Sequence, residues 1–110
     1  MSFYFDGHWS ASHLFRNLSD SEQVRLEALR SIARQDAEVA VPALEKIIRE
    51  DPSPALRYKA VHYLGRYLDE EGVLSLLEDV IKNDSNIDVR KKAIYVLSKS
   101  KDPRAVDILE

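Results

Sequence analysis

Residues 86–99 read NIDVRKKAIYVLSK, and the same pattern stands at 53–66 as SPALRYKAVHYLGR and at 21–34 as SEQVRLEALRSIAR. The arginines Arg25, Arg57 and Arg90 lie 32 and 33 residues apart. Three positions on come Ala28, Ala60 and Ala93, then Leu29, Val61 and Ile94, then Ile32, Leu64 and Leu97. Apolar residues recurring at three- and four-residue intervals mark one face of a helix, not the alternation of a strand. A period near 33 residues is the mark of a stacked-repeat architecture.

A second helical pattern follows each of these segments. Ala40-Val41-x2-Leu44-x2-Ile47-Ile48 matches Val73-Leu74-x2-Leu77-x2-Val80-Ile81, and Ala105-Val106-x2-Leu109 begins it again. Each repeat therefore reads as a helical hairpin of an A helix and a B helix. Boundary chemistry agrees. Ser19 with Glu22 and Ser85 with Asp88 have the spacing of a capping box. Ser53-Pro54 and Asp102-Pro103 read as an N-cap followed by proline at the first helical position. Pro42 fits a B helix that starts near Glu38, where few backbone hydrogen bonds are lost. The expected core is Val24, Ala28, Ile32, Leu56, Ala60, Leu64, Val89, Ala93 and Leu97 from the A helices. The B helices are expected to add Leu44, Ile48, Leu77 and Ile81.

Composition narrows the function. The 110 residues are 45% apolar and 32% charged, with three glycines and four prolines, which suits one ordered helical domain. The absence of cysteine excludes disulfides, thiolate metal sites and cysteine nucleophiles, and fits a cytoplasmic setting. No basic-then-apolar leader is visible at MSFYFDGHWS, and no apolar run approaches the ~20 residues of a membrane span. A net charge of −3 disfavours a general nucleic-acid binder.

The series Asp84…Val89-Arg90-x2-Ala93-x3-Leu97, followed by Ala105-Val106-x2-Leu109, resembles the short HEAT-like repeat of phycobilisome lyases and many small bacterial and archaeal proteins. Asp51…Leu56-Arg57-x2-Ala60-x3-Leu64 repeats it, and Val24-Arg25-x2-Ala28-x3-Ile32 does so with Ser19 in place of the aspartate. The resemblance implies an all-α, right-handed α-solenoid of about three hairpins, at 19–50, 51–83 and 84–110. Residues 1–18 then form an N-terminal cap segment. On this reading residues 10–17 are a leftover B helix, and Phe3, Tyr4, Phe5 and Trp9 cover the first repeat; an aromatic partner-binding arm is the alternative. The resemblance also implies that Arg25, Arg57 and Arg90 form a structural ladder with Asp51 and Asp84 in the inter-repeat turns.

Charge is segregated between the layers. In the A segments 20–35, 54–68 and 86–100 bases outnumber acids by ten to four; in the B segments 36–50, 69–82 and 101–110 acids outnumber bases by twelve to five. The resemblance implies that B helices line the concave side. Glu38, Glu45, Glu71, Glu78 and Asp79 are then the candidate partner-binding residues of an acidic groove suited to a basic protein surface. Such a groove repels nucleic acid. The expected function is a non-catalytic scaffold for another protein, with no cofactor and no metal. Val106, Ile108 and Leu109 lack a polar covering helix, so the C-terminal repeat face is expected either to be covered by further repeats of a longer protein or to pair with another copy, in self-association, or with a partner. The alternative is a bilin-lyase-related subunit that handles a tetrapyrrole or its acceptor.

Catalytic patterns are not visible. His8, His13 and His62 have no acid or second histidine at helical ligand spacing. The His-Glu dipeptides of HEAT-like di-iron hydroxylases are missing. Gly7, Gly65 and Gly72 form no phosphate loop. Asp69-Glu70-Glu71 reads as helix-dipole complementation at the start of a helix. Ser75 and Ser98 have no neighbouring base. A DNA-glycosylase-like reading requires a basic concave surface, and the B layer has the opposite sign.

Overall fold

The computed structural model describes residues 11–110. A 3-10 turn at Ser12–Phe15 precedes six α-helices: α1 (Asp20–Ile32), α2 (Ala37–Glu50), α3 (Pro54–Leu64), α4 (Val73–Asn83), α5 (Ile87–Leu97) and α6 (Pro103–Leu109). A second 3-10 turn, Gly65–Tyr67, links α3 to the segment before α4. There is no strand among the described residues. The aromatic residues Phe3, Tyr4, Phe5 and Trp9 lie outside those residues.

Local chemistry sets the helix starts. Ser19 and Glu22 close a full capping box on α1, each side chain accepting a hydrogen bond from the other's backbone N–H at 3.0 and 2.9 Å. Ser53 caps α3 ahead of Pro54, and Asp102 caps α6 ahead of Pro103. Pro42 sits inside α2, whose start at Ala37 places it in the second turn.

The helices form two layers. α1, α3 and α5 pack side by side as the A layer, while α2 packs against α4 and α4 against α6 as the B layer. The closest pairings are α2 with α3 and α4 with α5. Both pairs are joined by three-residue turns, whereas α3 and α4 are separated by the longer 65–72 segment. Leu29, Leu44, Leu56, Leu64, Leu77, Leu97, Val61, Val73 and Val89 are the largest fully buried side chains and form the seam between the layers.

The expected core needs correction at the first repeat. Val24 is 69% exposed and Ala28 is also exposed; Leu26, Leu29 and Ala33 are buried in their place, and Ile32 is half-buried. The cause is position in the layer. The helix α3, flanked on both sides, buries both Leu56 with Ala60 and Val61. Of these repeat positions the edge helix α1 buries Leu29, the equivalent of Val61, and leaves Val24 and Ala28 exposed. Of the same positions the opposite edge helix α5 buries Val89 with Ala93 and leaves Ile94 exposed. Val24 and Ala28 thus have the right spacing but no described helix to meet. In the B helices Leu44, Ile48 and Leu77 are buried and Ile81 is partly so.

Three boundary expectations also change. Asn86, not Ser85, caps α5, accepting from the N–H groups of Asp88 (2.8 Å) and Val89 (3.2 Å). Asp69, Glu70 and Glu71 stand in the turn ahead of α4 and not in its first turn, because the left-handed Gly72 (φ 87°) is the residue that opens the helix. Within the span 10–17 expected as a B-type helix, Ser12–Phe15 make a 3-10 turn. That turn lies over the A layer: the Phe15 ring meets Tyr58 of α3 edge-on at 5.7 Å, and His13 Nε2 reaches Asp88 Oδ2 of α5 at 3.2 Å.

Candidate functional site

The repeated arginines occupy one register position, and Arg25 and Arg57 each reach the turn that precedes the next A helix. Arg25 donates through Nε and Nη2 to the two carboxylate oxygens of Asp51, at 3.0 and 3.1 Å. Arg57 engages Asp84 in the same forked way at 3.0 and 3.2 Å, and its Nη1 donates to the Asp51 carbonyl at 3.0 Å. The geometry matches a planar guanidinium to a planar carboxylate, the strongest form of such a pair. Each aspartate also accepts a backbone N–H two residues on, from Ser53 and from Asn86, at 2.9 Å in both cases. The aspartates therefore shape the turns and tie successive A helices together.

Arg90 stands apart from this pattern. Its Nε is buried and has no hydrogen-bond partner. A buried donor left unsatisfied is costly, which makes this the most anomalous polar atom of the ladder.

The five carboxylates expected to form an acidic groove are on or beside α2 and α4, and they differ in their surroundings. Asp79 and Glu45 converge on Arg49, whose Nη1 and Nε donate to them at 2.8 and 2.9 Å. These hydrogen bonds raise the affinity of the Arg49 guanidinium for its proton, Glu45 contributing most. Asp79 is held below the usual carboxylate range by Asn83 first and Arg49 second. Glu78 accepts from Lys82 at 2.9 Å. Glu38 and Glu71 are exposed, one in the first turn of α2 and one in the turn before α4. Arg49 and Lys82 thus compensate three of the five. A cleft of about 380 Å³ where Arg49 and Asp79 meet Asp51, Arg57 and Asp84 is likewise lined by charges of both signs.

The surface that sequence reading largely missed is apolar. Ile87, Ile94 and Tyr95 of α5 and Val106 and Leu109 of α6 are exposed. Ile94 is 44% exposed, whereas Val61, its equivalent one repeat earlier, is fully buried. Leu109 is exposed where Leu77 and Leu44 are buried. Val106 and Leu109 were legible from their missing cover. Ile87, Ile94 and Tyr95 were not, because a repeating position is naturally assigned the burial of its interior copies.

A further recess of about 370 Å³ between the N-terminal turn and the A layer is lined by Phe15, Leu18, Leu26 and Tyr58, with Arg30 and Lys59 at its edge. Burial lowers the pKa of the Lys59 ammonium, and the nearby Arg30 charge adds to the shift. Next to it, the buried Asp88 meets His13 of the same turn, and the buried Lys92 has its Nζ 5.4 Å from the Tyr58 ring centre and 5.0 Å from that of Tyr95. Among the described residues no group of three or more histidines and carboxylates could hold a metal ion, and no helix is long and apolar enough to cross a membrane.

No curated protein and no solved structure matches the chain. A family model of HEAT repeats matches residues 11–86 of the 110. Together with the two-layered stack of helices and the recurring arginine–aspartate rungs, that match places the chain in the HEAT-repeat family.

Proposed function

We propose that the chain is a non-catalytic protein-binding module, and that the apolar face of α5 and α6 is its principal contact surface. The observation that carries this reading is the contrast between Ile94 and Leu109, both exposed, and their repeat equivalents Val61 and Leu77, both fully buried. A repeat unit is built to bury that face on a neighbour. Contiguous exposed apolar residues on a small domain mark interaction surfaces. HEAT repeats commonly serve as interaction scaffolds, which agrees. The family match is to HEAT repeats at large, so the reading stays at protein binding and does not extend to tetrapyrrole handling.

The acidic B layer is a second surface to consider, with Glu38 and Glu71 its most available carboxylates. A basic partner there would have to compete with Arg49 and Lys82 for Glu45, Asp79 and Glu78, which weakens its claim. A photo-crosslinking residue placed in turn at Tyr95, Glu38 and Glu71, in cells of the native source, separates the two. Discrete protein adducts from position 95 are expected. Adducts confined to 38 and 71 would move the contact to the acidic layer, and none from any position would sink the proposal.

A further inference from the structure

We infer that the recess between the N-terminal turn and the A layer binds a small amphipathic acid, a free carboxylate on an unbranched acyl chain. The chain lies against Phe15, Leu18, Leu26 and Tyr58, and the carboxylate sits at Lys59 and Arg30. This site shares no residue with the exposed α5–α6 face and goes beyond the protein-binding reading.

Charge sets this recess apart. Two other clefts carry both signs on their walls. In one, Asp51, Asp79 and Asp84 face Arg49 and Arg57; in the other, Glu50 and Asp51 face Arg25 and Lys46. The recess behind the N-terminal turn is lined by two cations and no carboxylate. Arg30 is tied to Glu27 at 2.8 Å, on the exposed surface. Lys59 comes from α3, a helix without a single acidic residue. Its Nζ stands 5.5 Å from the centre of the Phe15 ring, and no carboxylate among the described residues pairs with it. A ring face is a weaker partner for an ammonium than a carboxylate is. Burial lowers the Lys59 pKa and the Arg30 charge lowers it further, as befits a cation whose surroundings do not compensate it.

Shape and lining select the rest of the ligand. A volume of about 370 Å³ lies within the range of small-molecule sites, about 300–1,000 Å³. The apolar walls come from three elements: the turn brings Phe15, α1 brings Leu26 and α3 brings Tyr58, with Phe15 and Tyr58 in edge-on contact at 5.7 Å. An inorganic anion would gain nothing from these walls. A hydrocarbon would cover the Lys59 ammonium and deepen its desolvation without compensating it. An acyl carboxylate meets both halves of the site, burying its chain on the apolar walls and bringing the missing negative charge to Lys59.

The probe is octanoate, titrated into the full chain beside the neutral octanol and followed by NMR. Octanoate should bind about ten-fold more tightly than octanol and shift the resonances of Phe15, Leu26 and Tyr58. Octanoate should also raise the Lys59 pKa, since a carboxylate beside the ammonium opposes both burial and the Arg30 charge, and octanol should not. Lys59→Met should bring octanoate down to the affinity of octanol. If that variant does not fold, Glu27→Gln decides: it releases Arg30 from an ion pair on the exposed surface and should strengthen octanoate binding but not octanol binding. Unchanged octanoate affinity in Glu27→Gln would then overturn the inference. Equal affinity for the two ligands in the unaltered chain, no octanoate binding at all, or shifts confined to Ile94 and Leu109 would each overturn it as well. None of these outcomes bears on the crosslink at position 95, which tests the protein-binding face separately.

Discussion

The Arg57 and Asp84 side chains are 11% and 5% exposed, against 37% and 10% for Arg25 and Asp51, so chemically identical rungs sit in different dielectrics. Removing one partner of a buried pair strands the other, at a cost of about 3–5 kcal/mol, whereas an exposed pair contributes about 0–1 kcal/mol. Arg57→Met should therefore lower unfolding stability by roughly 3 kcal/mol or more, and Arg25→Met by about 1 kcal/mol. Denaturant melts of the two variants check this, and equal losses would mean that burial does not grade the ladder. Glu22 adds a pH signature. Its carboxylate accepts from the Ser19 backbone N–H and the Ser53 hydroxyl, which hold its pKa below the ordinary 4.5. A depressed acid stabilises the fold above its unfolded pKa, and that contribution is lost as pH falls through the folded value. Glu22→Gln should flatten the stability curve below about pH 4.5 and lower stability at neutral pH; urea midpoints across that range test both. The spacing of the arginines made the ladder visible in the sequence. The isolation of Arg90 was not visible, because hydrogen-bond satisfaction depends on neighbours in space.

At the scale of the element, the A and B helices were legible because their apolar residues repeat at helical spacing and because Ser, Asp and Pro mark their starts. Two joints were less so. Asn86 displaced Ser85 as the cap of α5 since its side chain reaches two backbone N–H groups, and Asp88 was released to face His13. The other joint is the 65–72 link, which holds two glycines with opposite roles. Gly72 opens α4 at φ 87°, a conformation that costs an L-residue about 1–2 kcal/mol although the space around a Cβ is empty. Gly65 is already helical (φ −58°), and a Cβ there would meet Val96 Cγ1 at an ordinary 3.6 Å. Gly72→Ala should thus destabilise by about 1–2 kcal/mol, while Gly65→Ala is neutral or stabilises by up to about 1 kcal/mol. Thermal melts in which both variants shift alike would show that backbone conformation is not what separates them.

Over the whole molecule, burial is distributed as in a short stack with one true interior repeat. The radius of gyration is 13.5 Å, close to the roughly 13 Å of a globular chain this size, so the stack has not yet elongated. Two-layered architecture followed from the sequence, but the difference between interior and edge did not, because the repeat presents three equivalent helices where the fold has one centre and two flanks. The consequence is a gradient of local stability. α3 packs against α1, α2, α5 and the N-terminal turn and buries six residues along its length. α6 has seven residues, touches α4 and α5, and buries only Ala105. A helix of two turns has little stability of its own and depends on the face it covers. In one-dimensional repeat stacks the outer units open at lower free energy than the interior. Native-state hydrogen exchange should therefore find the slowest amides in α3, with α5 next, and the α6 amides opening well before global unfolding. A helix seated on the exposed face of α5 and α6 should slow exchange in α6 selectively, since it would supply the neighbour that α3 already has. If α6 instead exchanges only through global unfolding in the isolated chain, that face is stable uncovered, and the case for a partner on it loses its energetic footing.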